Sequence, residues 1–372
     1  MASPGTPALA STTWGQTVEH WGAYAVGGAP FDTLLRPEPL SLPAPIAEIG
    51  TNNSAQYALL TNGTVWAWGT GGDGQLGDGE TSNSFSAAVQ VRFPGGVRIA
   101  SIATDVSPFS SGLAIDTTGH AWGWGINQGG EFCLHNKKEY LTPVELPFSN
   151  VTALAGAANH ATYDAGGTLY SCGQNDFGDL GDGATASSTT PVKVAGLNGA
   201  EVTTLVAAMA NTGALLANGD YYDWGLNRGG QVGNGTTAQA DIPYRVPLPT
   251  GVTQVTQGGS YPTNGQTMVL LSGGALYAWG TNGSYQLGTG TQGNKTRPVE
   301  ITPPPGVTYT TVACGGSTCY GITPAGAVYA WGQNNYGQVG DGSTTTAKHP
   351  VQVATGIAGI SATAHDVAVA TG

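Results

Sequence analysis

From Tyr309 to Ala313 polar and apolar residues alternate, a glycine pair at Gly315 and Gly316 interrupts them, and a second apolar run continues through Tyr320 and Ile322. Alternation on both sides of glycines predicts a β-hairpin. Pro324-Ala325-Gly326 then predicts a turn, Ala327 to Trp331 a third strand, and Pro350 to Val353 a fourth, beyond a glycine-rich loop. Within the third strand Val328 and Ala330 face one side, Tyr329 and Trp331 face the other, and no residue is charged. Such a strand is covered on both faces, as it would be inside a stack of sheets.

The same pattern recurs along the chain. Val65 to Gly79 and Leu276 to Gly290 repeat the Val328 to Gly342 stretch, with Ala-Trp-Gly in the strand and Gly-x-Gly closing the loop. Anchored on the glycine that ends the third strand, the copies fall at Gly22, Gly69, Gly125, Gly173, Gly225, Gly280 and Gly332. The steps between them are 47, 56, 48, 52, 55 and 52 residues, the period of a propeller blade. Thr17 to Leu42 carries only the later half of a repeat, and Ile357 to Ala370 only the earlier half. These features predict an all-β, seven-bladed β-propeller with four antiparallel strands per blade, closed by pairing of the N- and C-terminal strands. Residues 17–372 form its single domain, and the Pro/Ala/Ser-rich residues 1–16 are expected to be a disordered lead-in. Prolines at Pro143, Pro191, Pro243, Pro298 and Pro350 fall in the fourth strand, where an outer edge can spare an N–H. Ala88 stands in that place in the copy from Val65.

Charge narrows the functional classes. Charged residues make up 9% of the chain, against roughly a quarter in an average globular protein. Eleven basic and 23 acidic residues leave a net charge of -12, which repels a phosphate backbone and argues against a nucleic-acid partner. No apolar run approaches the roughly 20 residues that span a bilayer, so membrane insertion is not expected. Scarce lysine and neutral polar loops predict a secreted or cell-surface protein, and the absence of long apolar edge strands predicts a monomer.

Cys314 and Cys319 flank Gly-Gly-Ser-Thr, which would set them opposite one another on a hairpin, either as a disulfide or as two small buried thiols. Cys133 and Cys172 lie in different repeats with no spacing signature. Four cysteines without two close C-x-x-C pairs argue against structural zinc, and no cofactor is expected.

The repeated Trp-Gly-x-Asn-x-x-Gly-Gln-Leu/Val-Gly-x-Gly, preceded by a glycine-containing hairpin and followed by Pro-Val, resembles the regulator of chromosome condensation repeat family. The resemblance runs from about Thr17 to Ala370. It implies a seven-bladed propeller closed across its termini. It implies much less about function, because propellers carry unrelated activities on one scaffold. Family members include a chromatin-bound nucleotide exchange factor, a plant ultraviolet-B photoreceptor and secreted bacterial inhibitors that clamp β-lactamases. The acidic charge here departs from the exchange factor, and the photoreceptor's Gly-Trp-Arg-His-Thr motif does not occur. The secreted, inhibitor-like reading needs only a wide, uncharged face bearing aromatics. The family often places a histidine after the first hairpin strand. Counting back from the next glycine turn, that column reads Ala55, Ser111, Asn159, Asn211, Gln266, Thr318 and His365, a position the resemblance marks as structural.

In a blade of this order the loops between strands one and two and between strands three and four emerge on one face. The first set offers Phe109 and Tyr261; the second offers Asp73, Phe177, Arg228, Tyr285 and Tyr336. Aromatics on loop tips among Gly, Ser and Asn supply contact area at low entropic cost, as a binding surface requires; alternatively they cap the blade ends. The copy after Trp124 departs furthest, with Glu131-Phe132-Cys133-Leu134-His135 where others read Gln-Leu-Gly. If extended, Glu131, Cys133 and His135 would project together as metal ligands or as a nucleophile with a base; otherwise the stretch is a solvated insertion. Asp179 replaces the usual Gln and, with Glu131, would give a carboxylate pair facing the channel. Asp78, Asp182 and Asp341 recur in Gly-Asp-Gly, where local turn bonding fits better than a calcium loop. The leading expectation is a non-catalytic protein whose loop face binds a protein partner or a surface glycan. The alternative is an enzyme acting on a small molecule at the mouth of the central channel.

Overall fold

The computed structural model describes residues 14–23, 33–52, 55–103, 111–157, 159–260, 264–362 and 366–372. Among the described residues, twenty-eight strands form seven four-stranded antiparallel sheets. Six sheets take their strands in chain order: residues 46–90, 99–145, 151–193, 202–245, 252–301 and 311–354, numbered here as the first to sixth blades. The seventh is composite. Asp366–Thr371 lies between Ile357–Ala362 and Thr17–Ala23, with Trp21 opposite Val367, so the last strands pair with the first. Closure removes the open edge that a seventh partial repeat would leave on each end.

Burial follows from the sequence pattern. In four third strands, such as Val328–Gly332, the second residue, an aromatic, is half-buried and every other residue is covered. Seven apolar clusters fill the seven blade–blade interfaces, each drawing residues from two neighbouring sheets. Outer strands such as Ser188–Lys193 and Ala240–Arg245 carry the predicted prolines, and the pairing slips by bulges there, where a missing N–H costs no ladder bond.

In five of the seven blades, among the described residues, a tryptophan ties the blade to the one before it, while Trp68 Nε1 of the first blade is buried without a partner. Trp124 Nε1 donates to the carbonyl of Gln75 at 2.9 Å, Trp224 to Asp179 at 3.0 Å, Trp279 to Gln231 at 2.7 Å, Trp331 to Gln286 at 3.0 Å, and Trp21 to Gln338 at 3.0 Å. Each indole also lies on the glycine two residues further on, where a Cβ at Gly77, Gly181, Gly233, Gly288 or Gly340 would strike the ring. The third blade breaks this rule at both partners: Cys172 replaces its tryptophan and Cys133 replaces the facing glycine. The two are joined by a disulfide, with Cα atoms 5.5 Å apart. Tyr163 takes over the lost indole bond, donating to the carbonyl of Glu131 at 2.8 Å. The spacing along the chain concealed this pair, but comparison of the copies column by column exposes it. Cys314 and Cys319 are also bridged, as directly opposed residues of a hairpin.

The register corrects the histidine column. His160, not Asn159, pairs with Gly173, because the tight Gly166-Gly167 turn makes this hairpin one residue shorter than its counterparts. In the seventh blade Asp366 pairs with Gly22, and His365 lies outside the described residues. His160 is buried, its Nε2 lies 2.8 Å from Thr212 Oγ1 of the next blade, and burial pushes its pKa down to about 4. It is a neutral packing element.

Candidate functional site

The loop face is built by the segments that follow the anchor glycines. An asparagine shapes each loop from the second to the sixth blade: Asn127, Asn175, Asn227, Asn282 and Asn334 are wholly buried. The side-chain oxygen of each accepts the amide five residues on, as Leu180 donates to Asn175 at 2.9 Å. Its Nδ2 reaches across to the far limb, as Asn334 donates to the Thr345 carbonyl at 3.0 Å. Asp78, Asp182 and Asp341 accept the amide two residues on, at 3.1, 3.0 and 2.9 Å, which is turn bonding. Shared residues are therefore consumed in shaping the loops, and the variable ones remain for recognition.

Three of the predicted residues, Phe177, Arg228 and Tyr285, form two cation-over-ring positions, the second completed by Lys348. Arg228 of the fourth blade lies over the Phe177 ring of the third, 5.4 Å from its centre. Lys348 of the sixth blade lies 5.4 Å over the Tyr285 ring of the fifth, a cation–π geometry that joins neighbouring blades. Tyr285 sits where other copies have Gly74, Gly130, Gly178, Gly230 and Gly337, and like them it has a positive φ, here 62°. Tyr336 and Asp73 are half-buried on their own loop tips, Tyr336 N donating to Gln338 Oε1 and Asp73 N to Gln75 Oε1, both at 2.8 Å. Phe109 and Tyr261 lie outside the described residues.

Glu131, Cys133 and His135 do not converge. The segment turns instead of extending: Cys133 and His135 have φ of 58° and 59° because both stand in glycine columns. Cys133 is locked in its disulfide, Glu131 is 2% exposed, and His135 points outward as an exposed residue. Among the described residues no group of three His, Cys, Asp or Glu is arranged to hold a metal ion. Nor do Glu131 and Asp179 face an open channel, since Asp179 is likewise 2% exposed and the two share no hydrogen bond. Each occupies the site of a glutamine whose Oε1 accepts a loop amide, as Gly229 N donates to Gln231 at 2.7 Å. Asp179 keeps a weaker version, accepting from Phe177 N at 3.3 Å. Burial raises the Glu131 pKa to about 7, although the amides of Gly129, Gly130 and Glu131 lie close enough to oppose it; neither carboxyl oxygen closes a hydrogen bond. Burial, with the charges of Asp176 and Asp241 adding to it, raises Asp179 to about 8.

A third buried carboxyl lies away from the loops, and the sequence reading passed over it. Asp223 stands where the third strands of the other in-order blades have a small residue, is fully buried between the fourth and fifth blades, and accepts from Tyr221 Oη at 3.0 Å, Gln257 Nε2 at 2.9 Å and Thr267 Oγ1 at 3.3 Å. Burial pushes it up to about 8. A lone acid in a column that otherwise reads His20, Ala67, Gly123, Ser171, Ala278 and Ala330 was the available signal.

On the loop face a polar cleft of about 390 Å³ separates the second and third blades, lined by Gln128, Lys137, Asn159, Gln174 and Asp176 among others. Asn159 Nδ2 donates to Gln174 Oε1 at 2.9 Å, and Gln174 Nε2 donates to Asp176, so the lining is already internally bonded.

Comparison with known proteins then decides the kinship. The family model described as the regulator of chromosome condensation (RCC1) repeat matches residues 62–104, 166–215, 218–261, 273–322 and 325–369, and a second model of that repeat matches 309–338. The chain belongs to the RCC1 repeat family. It is 29% identical to the ultraviolet-B receptor UVR8 of Arabidopsis thaliana over 77% of this chain and 64% of the receptor. It is 28% identical to the human E3 ubiquitin-protein ligase HERC2 over 92% of this chain but 7% of the ligase. The chain thus spans less than two-thirds of the length of either relative. Yeast RCC1 (Prp20), solved bound to Kap60, superposes with a TM-score of 0.82 at 20% identity, covering 100% of this chain and 93% of that one. Human WBSCR16 superposes with a TM-score of 0.81 at 20% identity, covering 96% and 100%. Both likenesses are likenesses of fold.

Proposed function

We propose that this RCC1-repeat propeller is a non-catalytic binding protein, secreted or displayed at the cell surface, whose loop face clamps another protein as an inhibitor-like module does. One observation carries the reading: the residues that vary between copies, Phe177, Arg228, Tyr285, Tyr336 and Asp73, all emerge on one face while the constant ones are spent inside the blades. Aromatic tips stacked with cations are pre-organised contact groups, which lowers the entropy lost on binding. Relatives point the same way, since the yeast homologue was solved with Kap60 and another solved structure is described by its binding to Gsp1p and histones. Two disulfides support an oxidising compartment for this chain. A surface glycan is the second ligand class, favoured only by the amide-lined cleft.

The experiment is affinity capture from the medium of the producing organism with the parent protein and a Phe177→Ser, Tyr336→Ser variant. A protein recovered by the parent and lost by the variant supports the reading. Recovery of a small-molecule metabolite in place of a protein would overturn it.

A further inference from the structure

The loop face is divided by charge, and the division follows blade order. In the eighteen residues after each anchor glycine, the first three blades (70–87, 126–143 and 174–191) carry eight carboxylates and two lysines. The same windows of the fourth to sixth blades (226–243, 281–298 and 333–350) carry four cations, Arg228, Lys295, Arg297 and Lys348, and two carboxylates. Those two acids are engaged elsewhere. Asp341 caps its turn at Ser343 N, and Asp241 leans against Gly178 of the third blade, on the acidic side. On the acidic half Asp78 and Asp182 cap turns in the same way, and Asp78, Glu131 and Asp179 are buried, so five exposed or half-buried carboxylates remain there against two on the cationic half.

The four cations come from three neighbouring blades, the fourth to the sixth. The outer strand of the fifth blade lies on the fourth-blade loop: a Cβ at Gly230 would meet the Thr296 Cα at 2.7 Å, and one at Gly235 would meet the Arg297 guanidinium. The next outer strand lies on the fifth-blade loop in the same way, with His349 against Gly290 and Lys348 over Tyr285. Arg228, Arg297 and Lys348 are exposed, Lys295 is half-buried, and among the described residues none of them forms an ion pair. Beneath Lys348 sits Tyr285, a non-glycine residue in the left-handed region at a glycine position. Holding it there is backbone strain that a glycine would not incur. Nothing in the packing of the loop requires the ring, since the other copies build the same loop with glycine.

We infer that the sector formed by Arg228, Tyr285, Lys295, Arg297 and Lys348 is the recognition surface for a short acidic segment of the protein partner, one that also carries an aromatic or apolar residue for Tyr285. This rests on the loop-face reading above and deepens it. The acidic blades set the class of ligand. A long polyanion crossing the face would meet the exposed or half-buried Asp73, Glu80, Glu139, Asp176 and Asp182 within the first three loops and a molecule of net charge -12, whereas a few carboxylates confined to the sector meet unpaired cations. The opposed charge of the two halves also sets orientation, because a segment with acid at one end and a basic residue at the other docks in one direction only.

Fluorescence anisotropy tests this with a labelled Glu/Ser peptide carrying one Trp, against its Gln/Ser counterpart, a heparin fragment and a single-stranded oligonucleotide. The parent protein is expected to bind the acidic peptide in preference to the other three, more weakly as salt rises. Charge reversal by Arg297→Glu with Lys348→Glu is expected to weaken the acidic peptide by roughly tenfold or more. Tyr285→Gly is expected to weaken it without loss of thermal stability, and Lys193→Glu at the far end of an outer strand is expected to leave it unchanged. Equal binding of the Gln/Ser peptide, tighter binding of heparin or oligonucleotide, or indifference to the double reversal would overturn the proposal. Should the captured protein partner survive the double reversal but not Tyr336→Ser, the loop face binds it and this sector does not.

Discussion

The exchange of a tryptophan–glycine contact for a disulfide makes a quantitative demand on stability. Cys133 and Cys172 are 39 residues apart, and Cys314 and Cys319 are 5 apart. Closing a loop of the first size removes about 4 kcal/mol of unfolded-state entropy at room temperature, and closing one of the second size about 2 kcal/mol. Cys133→Ala with Cys172→Ala should therefore cost roughly twice as much as Cys314→Ala with Cys319→Ala. For a chain of 372 residues the unfolding entropy is about 0.8 kcal/mol per kelvin, so the larger loss lowers Tm by about 5 °C. The assay is thermal and guanidinium unfolding followed by tryptophan fluorescence. A third variant isolates the backbone term: Cys133→Gly with Cys172→Ala restores glycine at a φ of 58° and should recover about 1 kcal/mol relative to the double alanine. If the Cys314–Cys319 pair proves as costly to remove as the Cys133–Cys172 pair, or if glycine at 133 gives no recovery, the column argument is wrong.

Other outcomes follow from the same structure. Removing residues after Gly356 takes away both strands that complete the seventh blade, so cooperative unfolding should be lost; an unchanged melt would contradict closure. Glu131 has a folded pKa raised from 4.5 to about 7, so its contribution is fully present below about pH 4.5 and is lost as pH rises through 7. Asp179 and Asp223, both raised to about 8, act in the same sense. Stability should fall between about pH 4 and 8. Glu131→Gln should raise it by about 3 kcal/mol at pH 9 and by nothing at pH 4, as read from guanidinium midpoints. Trp224→Ala, which empties a fully buried site and leaves the Asp179 carbonyl only its bond from Thr212 Oγ1, should cost roughly 3–5 kcal/mol.

Much of the architecture was legible in the chain itself, because a propeller is written in local terms. Strand alternation, glycine turns and the spacing of anchors such as Gly69, Gly280 and Gly332 are short-range features that repeat, and the half-repeats at the ends require one another to cover their edges. What repetition also shows is where the copies disagree, which is how Phe177, Arg228, Tyr285 and Glu131 were singled out. Their chemistry was decided elsewhere. Glu131, Cys133 and His135 could be imagined on one side of an extended segment, yet the loop turns through glycine positions, buries the first, bridges the second and exposes the third. Cys133 meets Cys172, Arg228 meets Phe177, and Lys348 meets Tyr285 only because each blade lies against the next. Those meetings depend on the rotation between neighbouring sheets, a long-range quantity that no window of sequence encodes, whereas the blade itself is closed by hydrogen bonds between strands a dozen residues apart.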